Sequence, residues 1–92
     1  MLKIEYHKSF KKDYKRIKKQ GYSITKLETV IALLAEEQQL PESYRDHALK
    51  GNYDEFRECH IQPDWLLIYE IREDVLVLML YRLGTHAELF RK

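Results

Sequence analysis

After Gly51 the chain runs through three strand-like segments separated by two turns of three residues each. No other feature limits the fold as much. The segments are YDEFRECHI (53–61), WLLIYEI (65–71) and VLVLMLYR (75–82), joined by Gln62-Pro63-Asp64 and Arg72-Glu73-Asp74. Turns this short connect neighbouring antiparallel strands, because a parallel pair needs a crossover of about a dozen residues or more. An antiparallel meander follows. Its last two segments are apolar on both faces over most of their length, the mark of central strands covered on each side.

The first half of the chain must supply one cover. LKIEY (2–6) alternates as a short strand does. From His7 to Gln20 the period changes: Phe10, Tyr14 and Ile17 recur at helical spacing, with lysines on the other faces. Gly21 is placed to close that helix in a left-handed conformation. Thr25 and Glu28 have the spacing of a capping box for a second helix, with Ser23 as an earlier alternative cap. Leu27, Val30, Ile31 and Leu34 mark its buried stripe, and it ends near Glu37, before Leu40-Pro41. A polar connection, LPESYRDHALKGN (40–52), leads into the meander, and connections of this length are often functional.

The order is β-α-α-β-β-β: an α+β fold with a two-helix hairpin packed on a small, mostly antiparallel sheet. Loops and the C-terminus are expected to close the other face. Ninety-two residues are expected to form a single domain, 1–92. Cys59 is the only cysteine, so packing rather than an intrachain disulfide must hold the chain, which fits a reducing cytoplasm. The start MLKIEYHKSFKKD lacks the apolar core of a signal peptide, and VLVLMLY (75–81) is too short to span a bilayer. No membrane role is expected.

A net charge of +1 conceals an internal division. Residues 1–20 carry eight Lys/Arg against Glu5 and Asp13, a balance of +6, whereas residues 21–92 balance at −5. The basic helix reads either as a solvated face or as a patch for phosphate backbones, whose grip weakens with salt. Charge alone does not choose.

The meander also gathers distant residues. Its first strand runs towards Gln62-Pro63, the next runs away and the third returns. His60, Asp64, Trp65, Arg82 and Gly84-Thr85-His86 are therefore expected at one end of the sheet. His7, between strand and helix, fits a capping or surface role, and His47 lies in the long connection. No metal or other cofactor is expected, since HxxxH and CxxC spacings are absent and Arg82 would oppose a cation. Histidines, a carboxylate and an arginine suit cleavage of RNA by its own 2′-hydroxyl. One group removes the 2′-proton, another protonates the departing 5′-oxygen, and a guanidinium stabilises charge on the phosphate. Tyr81, Trp65 and Phe90 are placed either to stack on splayed bases or to fill the core.

Three blocks, RDHALKG (45–51), FRECHIQPDWLLIY (56–69) and RLGTHAELF (82–90), make the chain resemble the YafQ branch of the RelE/ParE toxin superfamily. The order of elements and the lysine-rich first helix agree. The resemblance implies a RelE-like fold and a ribosome-dependent mRNA endonuclease, the toxin of a type II toxin-antitoxin system that inhibits translation. It implies catalytic positions at His47, His60, Asp64 and His86, with Arg82 on the phosphate. His86 would be the general acid, Asp64 or His47 the base, and His60 would orient a partner. Trp65 and Phe90 match positions that shape the site or contact mRNA. Lys8, Lys11, Lys12, Lys15, Lys18 and Lys19 would hold ribosomal RNA. Expected products are a 2′,3′-cyclic phosphate, or its opened 3′-phosphate, and a 5′-hydroxyl. Expected partners are a cognate antitoxin, the ribosome with mRNA and, through the antitoxin, operator DNA. Two other readings remain: a ParE-like toxin that binds DNA gyrase without cutting nucleic acid, and a non-catalytic RNA-binding module.

Overall fold

The structure is a computed structural model and describes residues 1–51 and 55–90. A short strand, β1 (Lys3–Tyr6), leads into helices α1 (Lys8–Lys19) and α2 (Ile24–Ala35). A 3-10 turn (Glu42–Tyr44) and the two-residue strand β2 (His47–Ala48) follow. The meander is β3 (Arg57–Gln62), β4 (Trp65–Arg72) and β5 (Val77–Gly84), and helix α3 (His86–Phe90) comes last. The five strands form one sheet in the order β1-β5-β4-β3-β2, parallel only between β1 and β5. This is the expected α+β architecture.

Differences from expectation have local causes. Ser23 caps α2, accepting from the Lys26 N–H at 3.3 Å, so Thr25 and Glu28 lie inside the helix and form no box. α2 stops at Ala35, and Glu37 takes a left-handed φ of 59° just beyond it. The first meander strand begins at Arg57; residues 53 and 54 of the expected segment lie outside the described residues. β5 starts two residues late because Val75 and Leu76 belong to the turn. Leu76 has φ 55°, and its carbonyl accepts from the Lys3 N–H at 2.9 Å, which starts the β1 pairing at Lys3 opposite Val77.

The hairpin and sheet enclose Phe10, Ile17, Leu27, Val30 and Leu34 against Cys59, Ile61, Leu67, Tyr69, Leu78, Leu80 and Leu83. The opposite face is closed by Leu49, Phe56, Leu89 and Phe90 over Leu66 and Ile68. Loop and C-terminus thus cover the second side, as both-face apolarity requires. Among the described residues no helix is long and apolar enough to cross a membrane.

One buried carboxylate joins the helix layer to the sheet edge. Pairing with β1 ends at Leu80, which leaves the outer backbone groups of Leu83 without a strand partner. The Leu83 N–H donates to Asp13 Oδ2 at 2.9 Å, and its carbonyl accepts from Arg16 Nη2 at 2.9 Å. Two side chains of α1 therefore continue the ladder where the strand stops. Arg16 also donates to Asp13 at 2.9 Å and reaches Glu88 of α3 at 3.1 Å.

Candidate functional site

The short pairing of β2 with β3 sets His47 opposite Glu58, and His60 follows two residues later on β3, on the same face as Glu58. The Glu58 side chain is only 5% exposed, and its Oε1 lies 3.4 Å from Nε2 of both His47 and His60. Each ring is fixed from behind. His47 Nδ1 is 2.6 Å from the Arg45 carbonyl, and His60 Nδ1 is 3.1 Å from the Pro63 carbonyl. A carbonyl only accepts, so both Nδ1 atoms carry hydrogen. In a neutral ring Nε2 is then a lone pair facing a carboxylate. These contacts become hydrogen bonds only when a further proton sits between Glu58 and a ring.

The second half comes from the β3–β4 turn and α3. Thr85 and Glu88 cap α3 reciprocally: Thr85 Oγ1 accepts from the Glu88 N–H at 3.2 Å, and Glu88 Oε1 accepts from the Thr85 N–H at 2.9 Å. This box sets His86 at the first helical position. Asp64 Oδ1 then accepts from the His86 backbone N–H at 3.1 Å and lies 2.9 Å from His86 Nδ1. Hydrogen bonds from the His86 ring and then its backbone hold the Asp64 carboxyl below the usual carboxylate range. With Nδ1 bound to Asp64, the reactive atom of His86 is Nε2. Its ring centre is 5.6 Å from that of His60, which in turn is 6.3 Å from His47.

His47, His60, Asp64 and His86, all expected from sequence, thus come together with Glu58, which was not. Phe90 lies 6.3 Å from the His86 ring, flanking the group. Arg82 is placed differently. Its guanidinium bonds to Asp13, Nε to Oδ2 at 2.7 Å and Nη2 to Oδ1 at 3.3 Å, and its side chain remains 30% exposed. Burial pushes the Asp13 carboxyl up, but hydrogen bonds from Arg82, the Leu83 N–H and Arg16 outweigh it and hold the group below its ordinary value. Trp65 needs correcting as a base-stacking surface. It is 1% exposed, packed against Tyr22 at 4.8 Å in the main core, because the turn points it inward. It shapes the turn from beneath. Tyr81 fills the opposite face against Phe56 at 4.6 Å, and His7 caps α1, its Nδ1 accepting from the Ser9 N–H.

Glu58, His60 and His86 also form a group able to hold a metal ion, with donor atoms within 4.8 Å of one another. Two imidazoles and a carboxylate suit zinc or copper once drawn together. The expectation that Arg82 would repel a cation here omitted its engagement by Asp13. Lys8, Lys11, Lys12, Lys15, Lys18 and Lys19 are all exposed on α1. Lys11, Lys15 and Lys18 border a groove of about 600 Å³ with Tyr6, Phe10 and Tyr14.

Comparison with known proteins is consistent with this geometry. The family described as the bacterial toxin of type II toxin-antitoxin systems, YafQ, matches residues 2–91. The mRNA interferase toxin YafQ of Escherichia coli K12 is 39% identical over 88 residues, covering 95% of this chain and 94% of that one. A metal-bound toxin from Helicobacter pylori superposes with a TM-score of 0.93 at 49% identity, covering 98% and 100% of the two chains. The E. coli DinJ–YafQ complex gives 0.89 at 37% identity, covering 98% and 99%.

Proposed function

Since the chain belongs to the YafQ family of type II toxins, we propose that it is a ribosome-dependent mRNA endonuclease that inhibits translation. The observation that carries this reading is the pair His60 and His86, ring centres 5.6 Å apart, each with Nδ1 bound from behind and Nε2 left for chemistry. Two oriented imidazoles flanking one space suit a phosphodiester that needs a base on one side and an acid on the other.

His60 accepts the 2′-hydroxyl proton at Nε2 as the 2′-oxygen attacks phosphorus. The contact to Glu58, 3.4 Å in the resting arrangement, then becomes a charge-assisted hydrogen bond to the imidazolium. His47 Nε2 lies against the same Glu58 oxygen. The P–O5′ bond breaks as His86 Nε2 gives its proton to the departing oxygen, with Asp64 orienting the ring through Nδ1. The products are a 2′,3′-cyclic phosphate and a 5′-hydroxyl. In this assignment Asp64 is the partner of His86 rather than the base, because both its close contacts are to that residue. Arg82, exposed in part and oriented by Asp13, is the cation for the phosphate oxygens.

A metal at Glu58, His60 and His86 would supply Lewis acidity there. It would also occupy the nitrogens that proton transfer uses. The α1 lysines would hold ribosomal RNA, and the groove lined by Lys11, Lys15 and Lys18 against the single carboxylate of Glu28 offers apolar contacts and an excess of cations for an acidic amphipathic segment of a cognate antitoxin. Binding there would cover the ribosome-facing cations, and the bound pair would meet operator DNA through the antitoxin. Action on ribosomes implies the cytoplasm. Mapping of 5′ ends on purified ribosomes, wild type against His86→Ala, tests the whole scheme. Cuts with 5′-hydroxyl ends that vanish in the variant are expected. A requirement for added Mg²⁺ with 5′-phosphate ends would overturn it.

A further inference from the structure

A cleft of about 480 Å³ opens beside His60, where the first turn of α2 and the 3-10 turn face the end of β3. Its volume lies in the range of small-ligand sites. Lys26, Arg45, Tyr44, Ser43 and Gln62 line it, and among the described residues no acidic residue does. Arg45 is unusual in its backbone. Its φ of 47° lies in the left-handed region, which an arginine enters only under constraint. From that position its carbonyl meets His47 Nδ1 at 2.6 Å while the residue also lines the cleft. One residue thus joins the cleft to the histidine cluster.

We propose that this cleft is a nucleotide subsite, receiving one nucleotide of the RNA adjoining the bond that is cut. The proposal rests on the ribonuclease reading of the His60–His86 pair and gives it a sequence-reading element. A single-stranded nucleotide presents a phosphate, a flat ring face and an edge of donors and acceptors. The cleft offers a complement to each. Lys26 and Arg45 meet the phosphate, Tyr44 meets the ring face, and Gln62, with both a donor and an acceptor, reads the edge. Phe90 flanks the cluster on the His86 side and the cleft flanks it on the His60 side, so a strand lying across the histidines has a binding surface at each end.

Arg45→Gly and Gln62→Ala test this on purified ribosomes programmed with mRNAs varied one position at a time around the cut. Glycine accepts a positive φ, so Arg45→Gly keeps the backbone that holds His47 while removing the guanidinium. It is expected to raise KM about fivefold at low salt, an effect that shrinks as salt rises. Gln62→Ala is expected to change the preference at one nucleotide position by about fivefold or more. Gln62→Glu, which keeps the side chain's shape and removes its donor, should shift the same position. It also guards against misfolding of the alanine variant. Folded variants that cut the same positions with the same KM would overturn the subsite and leave the histidine chemistry standing. A wild type that cuts no RNA would overturn both together.

Discussion

Replacing Asp13 with alanine is expected to destabilise the fold far more than replacing any of the exposed lysines of α1. The carboxylate accepts from Arg82, the Leu83 N–H and Arg16, at 2.7, 2.9 and 2.9 Å. Breaking an ion pair in which both partners are buried costs about 3–5 kcal/mol, because the remaining charge is left unpaired in a poor solvent. Here only Asp13 is buried; the Arg16 and Arg82 side chains are 34% and 30% exposed, so water recovers part of the loss. About 2–3 kcal/mol is therefore expected, including the orphaned Leu83 N–H. Asp13→Asn keeps an oxygen for that N–H and should cost about half as much. With a urea slope of ~1 kcal/mol per molar for a domain of this size, the midpoint falls by about 2–3 M for alanine and ~1–1.5 M for asparagine. The pH dependence has a definite sign. Asp13 is held below its ordinary value in the fold, so on acidification the unfolded chain binds the proton first. Its contribution is full above an unfolded value of about 3.9 and is lost as pH falls through the lower folded one. The gap between wild type and Asp13→Ala should stay constant from neutral pH to about 5 and narrow below that. Urea titrations at several pH values measure it. An unchanged midpoint at neutral pH, or a gap that does not narrow in acid, would refute the role assigned to this carboxylate.

Glu58→Gln should slow single-turnover cleavage by about 10²-fold or more while leaving the urea midpoint unchanged or raised, since it removes a desolvated charge. Equimolar Cu²⁺ or Zn²⁺ should inhibit cleavage by taking the His60 and His86 nitrogens, and EDTA should restore it. Loss of activity on chelation of metal-free toxin would contradict proton transfer by side chains alone. Replacing Lys8, Lys11, Lys12 and Lys15 by alanine should weaken ribosome binding and flatten its salt dependence with an unchanged circular dichroism spectrum; equal binding at every salt concentration would rule out their contact with RNA.

The meander was legible because short turns and apolar runs act locally. Three residues between strands leave one geometry open, and that geometry carries His60, Asp64 and His86 to one sheet end whatever else the chain does. β2 was not legible. Two residues, His47 and Ala48, have no periodicity to read, and they form a strand only because β3 offers an edge. α3 had a signal that went unused: Thr85 and Glu88 have capping-box spacing, as clear as the Thr25–Glu28 pair that turned out to form no box. The two cases differ in what precedes them. Ser23 stands ahead of Thr25 and caps the helix first, whereas Gly84 ends a strand immediately before Thr85.

Glu58 and Asp13 were missed for a shared physical reason. In sequence an acidic residue among charged neighbours reads as solvated, and Asp13 sits in a run of lysines while Glu58 sits between Arg57 and Cys59. Each is nonetheless buried, and burial of a carboxylate is tolerable only where several donors converge. The groups that meet them come from elsewhere: Arg82 and Leu83 on β5 donate to Asp13, and His47 on β2 sets its Nε2 3.4 Å from Glu58. Arg16, from the helix that carries Asp13, also reaches Glu88 in the capping box that seats His86. A basic helix that sequence reading assigns to RNA thus has a second task on its inner face, fixing Arg82 and the base of α3. The two faces are separable. Outer-face lysine variants should lose ribosome affinity at constant stability, and inner-face Asp13 variants should lose stability first; a stability loss from the lysines comparable to that from Asp13 would show that the division does not hold.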